Sequence, residues 1–244
     1  MKEIIQEAYA LFGAYKAILP LDVCTDCCMD PGDAALLASL PVHEIPHDLL
    51  MEYNDEASTG KTPAAEIKHF LPRYLELIAT FEFPSHSAEL SLERLNPTLE
   101  EEWSAVELDF LTRFTTAFWK TCLAAYPLPA YESIDAILVM VWRSGLEVTD
   151  LLDQWQEENT LSSVLHFWDL YVEGFEGKRS LKLKNAFAEA DISEQLKDWV
   201  SQNETKTAFR MHVEKLILND TSTIDEEQSD QLSQLYDMLS YAFA

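Results

Sequence analysis

The chain has 244 residues, 48% of them hydrophobic, which is enough length and apolar content for a sizeable core. Its 43 Asp and Glu outweigh 17 Lys and Arg, for a formal charge of −26 and a pI near 4.4. That balance excludes nucleic-acid backbones and anionic membrane surfaces as ordinary partners and favours a basic protein, a metal or a cationic ligand.

Taken in order, residues 2–19 read as a helix with Ile4, Ala8, Leu11, Phe12, Tyr15 and Ile18 on one face, ended by Pro20. A cysteine loop follows. Asp30 and Pro31 then start a short helix through Leu40, with Asp30 as cap and Pro31 at the first position, and Pro46 opens another that runs to about residue 57. Thr62 as N-cap and Pro63 at the first position begin a helix in which Ile67, Phe70, Leu71, Tyr74, Leu75 and Ile78 recur at steps of three and four; it ends near Phe81. Pro72 interrupts this pattern, because it has no N–H for the carbonyl of Lys68 and its ring crowds that oxygen. His69, Arg73 and Glu76 share a face across the proline, which places Glu76 beside Arg73 and makes the three a candidate binding site.

Residues 84–95 read as a linker with one or two helical turns. Thr98-Leu99-Glu100-Glu101 forms a capping-box pattern, and Trp103, Val106, Phe110, Leu111, Phe114, Phe118 and Cys122 continue a stripe to Tyr126. This predicts one long central helix of about 28 residues, roughly 42 Å. After the break at Pro127-Leu128-Pro129, helical periodicity covers 133–144, 146–155, 161–173, 181–190, 192–201, 204–218 and 225–241, and no strand pattern competes. The expected fold is all-α: an irregular array of antiparallel helix pairs, α-solenoid-like but without a fixed repeat period. It is read as a single domain over 1–244, divided internally into an N-terminal subdomain 1–82 and a helical array 98–244.

Charge is uneven along the second half. Asp225, Glu226, Glu227, Asp230 and Asp237 have no basic residue among them, while Lys178, Arg179, Lys182 and Lys184 form the one basic cluster. Glu3 and Glu7 inside the first helix speak against a leader, and the apolar run over 134–142 is too short to span a bilayer, so the expected location is cytoplasmic. There the four cysteines remain thiols or bind metal.

Cys24-x2-Cys27 followed by His43-x3-His47 matches the numerical spacing of a Cys2His2 zinc site. The setting is not that of a ββα finger, because Pro46 falls between the histidines and the intervening Ala34-Ala35-Leu36-Leu37 is helical. Zinc held by Cys24, Cys27, His43 and His47, with Cys28 and His69 as substitutes, stands beside a reading of the same residues as ordinary thiols and helix-end histidines. A redox role for the cysteine pair lacks its βαβ context. Cys122 lies in the apolar stripe and reads as core, as do His166 and His212. The six glycines are scattered, so no glycine-rich phosphate loop exists, and the Gly-x-Ser-x-Gly and His-Glu-x-x-His patterns are absent.

Cys24-Thr25-Asp26-Cys27-Cys28 and then His69-Phe70-Leu71-Pro72-Arg73-Tyr74-Leu75-Glu76-Leu77 resembles an uncharacterised bacterial protein family with a CxxC-type motif followed by an HFLPRxLEL-like segment. The resemblance covers roughly the first third of the chain. It implies a bacterial origin and transfers no catalytic residue.

Together these features lead to the expectation of a non-enzymatic acidic interaction protein that binds a basic protein partner, in the manner of immunity proteins that block basic toxins. The alternative is a metal-dependent enzyme or sensor built on Cys24, Cys27 and their histidines together with the His69 to Glu76 helix.

Overall fold

A computed structural model describes residues 1–26, 28–56, 62–98, 102–176, 182–219 and 224–241. The fold is all-α, and the described residues include one two-residue hairpin besides the helices. The chain divides into two compact units. The first comprises Met1–Phe118 with Met140–Glu147, and the second Trp119–Val139 with Val148–Ala244.

In the first unit, α1 (Lys2–Phe12) stops seven residues before the expected end. Gly13 follows it, and a Cβ there would come within 2.6 Å of the Tyr9 carbonyl oxygen. The chain beyond is irregular, and Ile18, assigned from sequence to the buried face, is 76% exposed. α2 (Pro31–Ser39) is started as expected by Asp30, whose side chain accepts from the Gly32 amide at 2.7 Å. α3 (His47–Asp55) opens as expected after Pro46, whose carbonyl accepts from the Leu50 amide at 3.1 Å, and it buries Leu49, Leu50 and Tyr53.

α4 (Ala64–Ile78) begins one residue later than predicted, with Pro63 in the cap position, and runs through Pro72 without a break. Nearly its whole length is buried, and α1 packs against it. It ends in a Schellman turn: the Glu82 amide donates to Leu77 O at 3.0 Å and the Phe81 amide to Ile78 O at 2.9 Å. The left-handed position of that turn, usually glycine, is taken by Phe81 at φ 60°. Its ring is held at 5.4 Å from Phe118 and 6.3 Å from Phe83.

Two short 3-10 turns, Ala88–Leu90 and Glu93–Thr98, occupy the predicted linker. The long helix is shorter than expected: α5 (Ala105–Ala124) has 20 residues, and its capping box is Ser104-Ala105-Val106-Glu107. The Ser104 amide donates to Glu107 Oε2 at 2.8 Å, and the Glu107 amide to Ser104 Oγ at 3.3 Å. Thr98 is spent elsewhere, donating to Leu95 O at 2.6 Å and accepting from Trp103 Nε1 at 3.2 Å; residues 99–101 of the anticipated box lie outside the described residues.

The second unit is built from the end of α5, the start of α6 (Ile134–Arg143), α7 (Thr149–Glu157), α8 (Leu161–Trp168), α9 (Ala190–Ser201), α10 (Asn203–Asn219) and α11 (Glu226–Tyr241). α8 passes into a π-helical turn, Asp169–Glu173, closed by Gly174, where a Cβ would meet Leu170 O at 2.6 Å. Residues 181–190 were expected to be helical. Instead β1 (Phe175–Glu176) pairs antiparallel with β2 (Lys182–Leu183), with the cross-strand pair Phe175 and Leu183 buried and the pair Glu176 and Lys182 outward, and helix resumes only at Ala190.

The core of this unit is aromatic. Trp155 stacks on Trp199 at 5.1 Å and meets the edge of Trp119 at 5.5 Å, while Phe167 and Phe209 lie stacked at 3.6 Å. The indoles of Trp119 and Trp155 donate to Leu151 O at 2.8 Å and Ser163 O at 3.1 Å, so these two ring nitrogens do not go unpaired in the interior. Because Phe209 is fully buried between α8 and α9 rings, Phe209→Ala should cost about 3–5 kcal/mol of unfolding free energy. Urea denaturation followed by tryptophan fluorescence measures it, and a cost under about 1 kcal/mol would contradict this packing.

Candidate functional site

Of the three residues assigned from sequence to one face of α4, Arg73 and Glu76 pair and His69 turns elsewhere. Arg73 Nη1 donates to Glu76 Oε2 at 2.6 Å, and Tyr9 of α1 donates its hydroxyl to the same oxygen at 2.7 Å. Arg73 also donates from Nε to Ile45 O at 2.9 Å, which ties α4 to the 3-10 turn Val42–Glu44 and its cap. His69 joins neither; its Nδ1 lies 3.0 Å from the carbonyl oxygen of Tyr15. A carbonyl only accepts, so Nδ1 carries the proton. The cavity against this part of α4, lined by Ile67, Leu71, Tyr74, Ser91 and Arg94 among others, has about 10 Å³, room for roughly one water.

The residues proposed to hold zinc are placed as follows. Cys24 is half-buried in the loop after α1, and Cys27 lies outside the described residues. His43 is exposed, 3.6 Å from Glu44. His47 opens α3 with Nε2 2.9 Å from Phe83 O and Nδ1 3.0 Å from Asp48 Oδ1. Burial alone would lower its pKa, but two acceptors facing both ring nitrogens favour the imidazolium and raise it above the ordinary value. Among the described residues no group of three or more His, Cys, Asp and Glu could hold a metal ion.

Long-range polar clusters, invisible as motifs, surround α4 instead. Lys68 is 3% exposed and Glu107 6%, and Nζ meets Glu107 Oε2 at 3.0 Å. Nζ also donates to Glu102 O and lies 4.9 Å and 4.6 Å from the ring centres of Tyr15 and Trp103. Glu107 accepts further from Tyr15 Oη at 2.6 Å and from Ser104 Oγ at 2.8 Å. Desolvation would raise the Glu107 carboxyl, but Tyr15, Ser104 and Lys68 outweigh it and bring the pKa down to about 2. On the other side, Glu66 accepts from Tyr53 Oη at 2.8 Å and the Asp22 amide at 3.1 Å. Arg94 lies over the Tyr53 ring at 4.4 Å and donates to Asn54, Asp22 and Glu56 carbonyls at 3.3, 2.9 and 2.7 Å. Burial holds the Glu66 carboxyl above its usual range despite these donors.

The second unit carries a different feature on its surface. Asp150, Asp153 and Glu157 are exposed along one face of α7, Asp191, Glu194 and Asp198 along one face of α9, and Glu226, Asp230 and Asp237 along one face of α11. Gln195 of α9 donates to Thr149 of α7 at 3.3 Å, a contact between these two helices. No Lys or Arg occurs in residues 144–177 or 216–244.

The Lys68 pair generates a direct test. Glu107→Gln leaves a buried ammonium without its counter-charge and should cost about 3–5 kcal/mol, whereas Lys68→Met with Glu107→Gln should cost clearly less than the single variant. The wild-type carboxyl contributes stability above its unfolded pKa near 4.5 and loses it as pH falls from there through about 2. Urea midpoints between pH 7 and 3 should show that limb in the wild type and lack it in Glu107→Gln; superimposable profiles would refute the assignment. Comparison with protein-family models, with curated proteins and with solved structures found no match to this chain.

Proposed function

We propose that the chain is a non-enzymatic binding protein whose acidic surface receives a basic protein partner. The observation that carries this reading is how the cations are used. Lys68 and Arg94 are buried, and Arg73 and Arg143 are mostly covered, the latter against Glu93; Arg113 bridges Glu7 and Asp109, and Lys215 bonds Asn159. These cations therefore go into holding the fold, while the carboxylates of α7, α9 and α11 are exposed. A surface of that sign steers and retains a cationic partner and repels anionic ones. Among the described residues no helix is long and apolar enough to cross a membrane.

Affinity capture with the tagged protein at low ionic strength should recover a partner of high isoelectric point, with dissociation rising steeply with salt. A charge-neutralised variant, Asp150→Asn with Asp153→Asn and Glu157→Gln, should bind at least about tenfold more weakly with an unchanged melting curve. Salt-insensitive binding, or equal binding by that variant and a matching one on α11, would overturn the proposal.

A further inference from the structure

His69 presents an anomaly that the binding role does not use. Its side chain is 6% exposed, Nδ1–H is committed to Tyr15 O, and Nε2 is buried with no hydrogen-bond partner among the described residues. In the neutral tautomer that nitrogen bears only a lone pair, and leaving it unpaired is tolerable. Adding a proton turns it into a charged donor with nothing to receive it, which is far more costly in an interior.

The surroundings offer no compensation. From the segment after α1 the charge of Lys16 opposes a second one on the ring. On α4 itself Lys68 is turned into its pair with Glu107, and Arg73 into Ile45 O and Glu76. From α5, Glu107 is already saturated by Lys68, Tyr15 and Ser104. Burial, followed by Lys16, accordingly holds the imidazole below the ordinary histidine range, with the Tyr15 bond opposing.

We propose that His69 is an acid-operated release for α1 and its tail: protonation of Nε2 leaves a buried charge without an acceptor, and the segment that lifts to hydrate it is residues 13–20, loosening α1 from α4. The moving side follows from packing. α4 is buried along nearly all of its length, whereas α1 buries only Ala8 and Phe12 fully, and the tail is irregular with Ile18 and Leu19 exposed. His47 cannot produce the effect, because protonation strengthens its two bonds. The other buried histidine that burial keeps neutral, His166, donates to Ala125 O at 2.7 Å within the second unit, so its titration reports there and not on α1.

Amide hydrogen exchange at pH 7 and pH 5, corrected for intrinsic chemistry, tests the proposal on the whole chain. Peptides covering residues 2–19 should lose at least about tenfold in protection at pH 5, with α3 and α11 unchanged. In His69→Gln, whose side-chain amide still donates to Tyr15 O and takes no proton, the loss should fall below about twofold. No loss in the wild type, an equal loss in the variant, or a loss spread evenly over the first unit would each overturn it. Should the variant fail to fold, ¹⁵N-imidazole titration of the wild type decides: a His69 midpoint coincident with the loss of α1 protection supports the release, and a separate midpoint rejects it.

Discussion

The first unit depends on a charge that has been taken out of water and given a complete set of partners. Lys68 and Glu107 come from helices 39 positions apart and are joined by Tyr15, which offers its hydroxyl to the carboxylate, its ring to the ammonium and its carbonyl to His69. Desolvating both ions is expensive, so such a pair stabilises only when every remaining donor and acceptor is met. Ser104 meets the last of them and in doing so starts α5. The position of α1's tail, the register of α4 and the first residue of the long helix are thus one solution to one electrostatic problem.

That coupling explains which parts of the structure were legible in the sequence. The 3.6-residue apolar period is a local signal, and it located every helix from α1 to α11 and the Asp30 cap. Boundaries were another matter. Thr98-x-x-Glu101 and Ser104-x-x-Glu107 are equivalent as strings; the second is used because Tyr15 and Lys68 also hold Glu107, a fact written 39 and 92 residues away. The end of α1 at Phe12, ahead of Pro20, escapes notice because the apolar period alone continues past Gly13, and the hairpin because two residues per strand are too few to show alternation. Within the candidate site, the spacing of Arg73 and Glu76 carried over into a contact, whereas the destination of His69 depended on a backbone carbonyl that no motif announces. The Cys24, His43 and His47 spacing illustrates the reverse: a numerical match whose described members each find other surroundings.

Phe81 shows the same priority of tertiary over local preference. A left-handed backbone costs a bulky residue about 1–2 kcal/mol, and glycine would avoid it. The ring is retained in that position by Phe83 and Phe118, so the end of α4 is set by an aromatic contact and not by the residue that usually ends a helix.

The exposed carboxylate stripes and the buried Lys68 and Glu107 pair give dissolved salt two opposing effects on this molecule. Carboxylates crowded on α7, α9 and α11 repel one another and strain the compact state, and an ionic atmosphere about 8 Å thick at physiological strength relieves that repulsion. The Lys68 and Glu107 pair, being dry, is screened far less. Adding monovalent salt therefore firms the fold while blunting the reach of its surface, so the conditions under which this chain is most stable are those in which it is least able to attract a counter-charge from a distance.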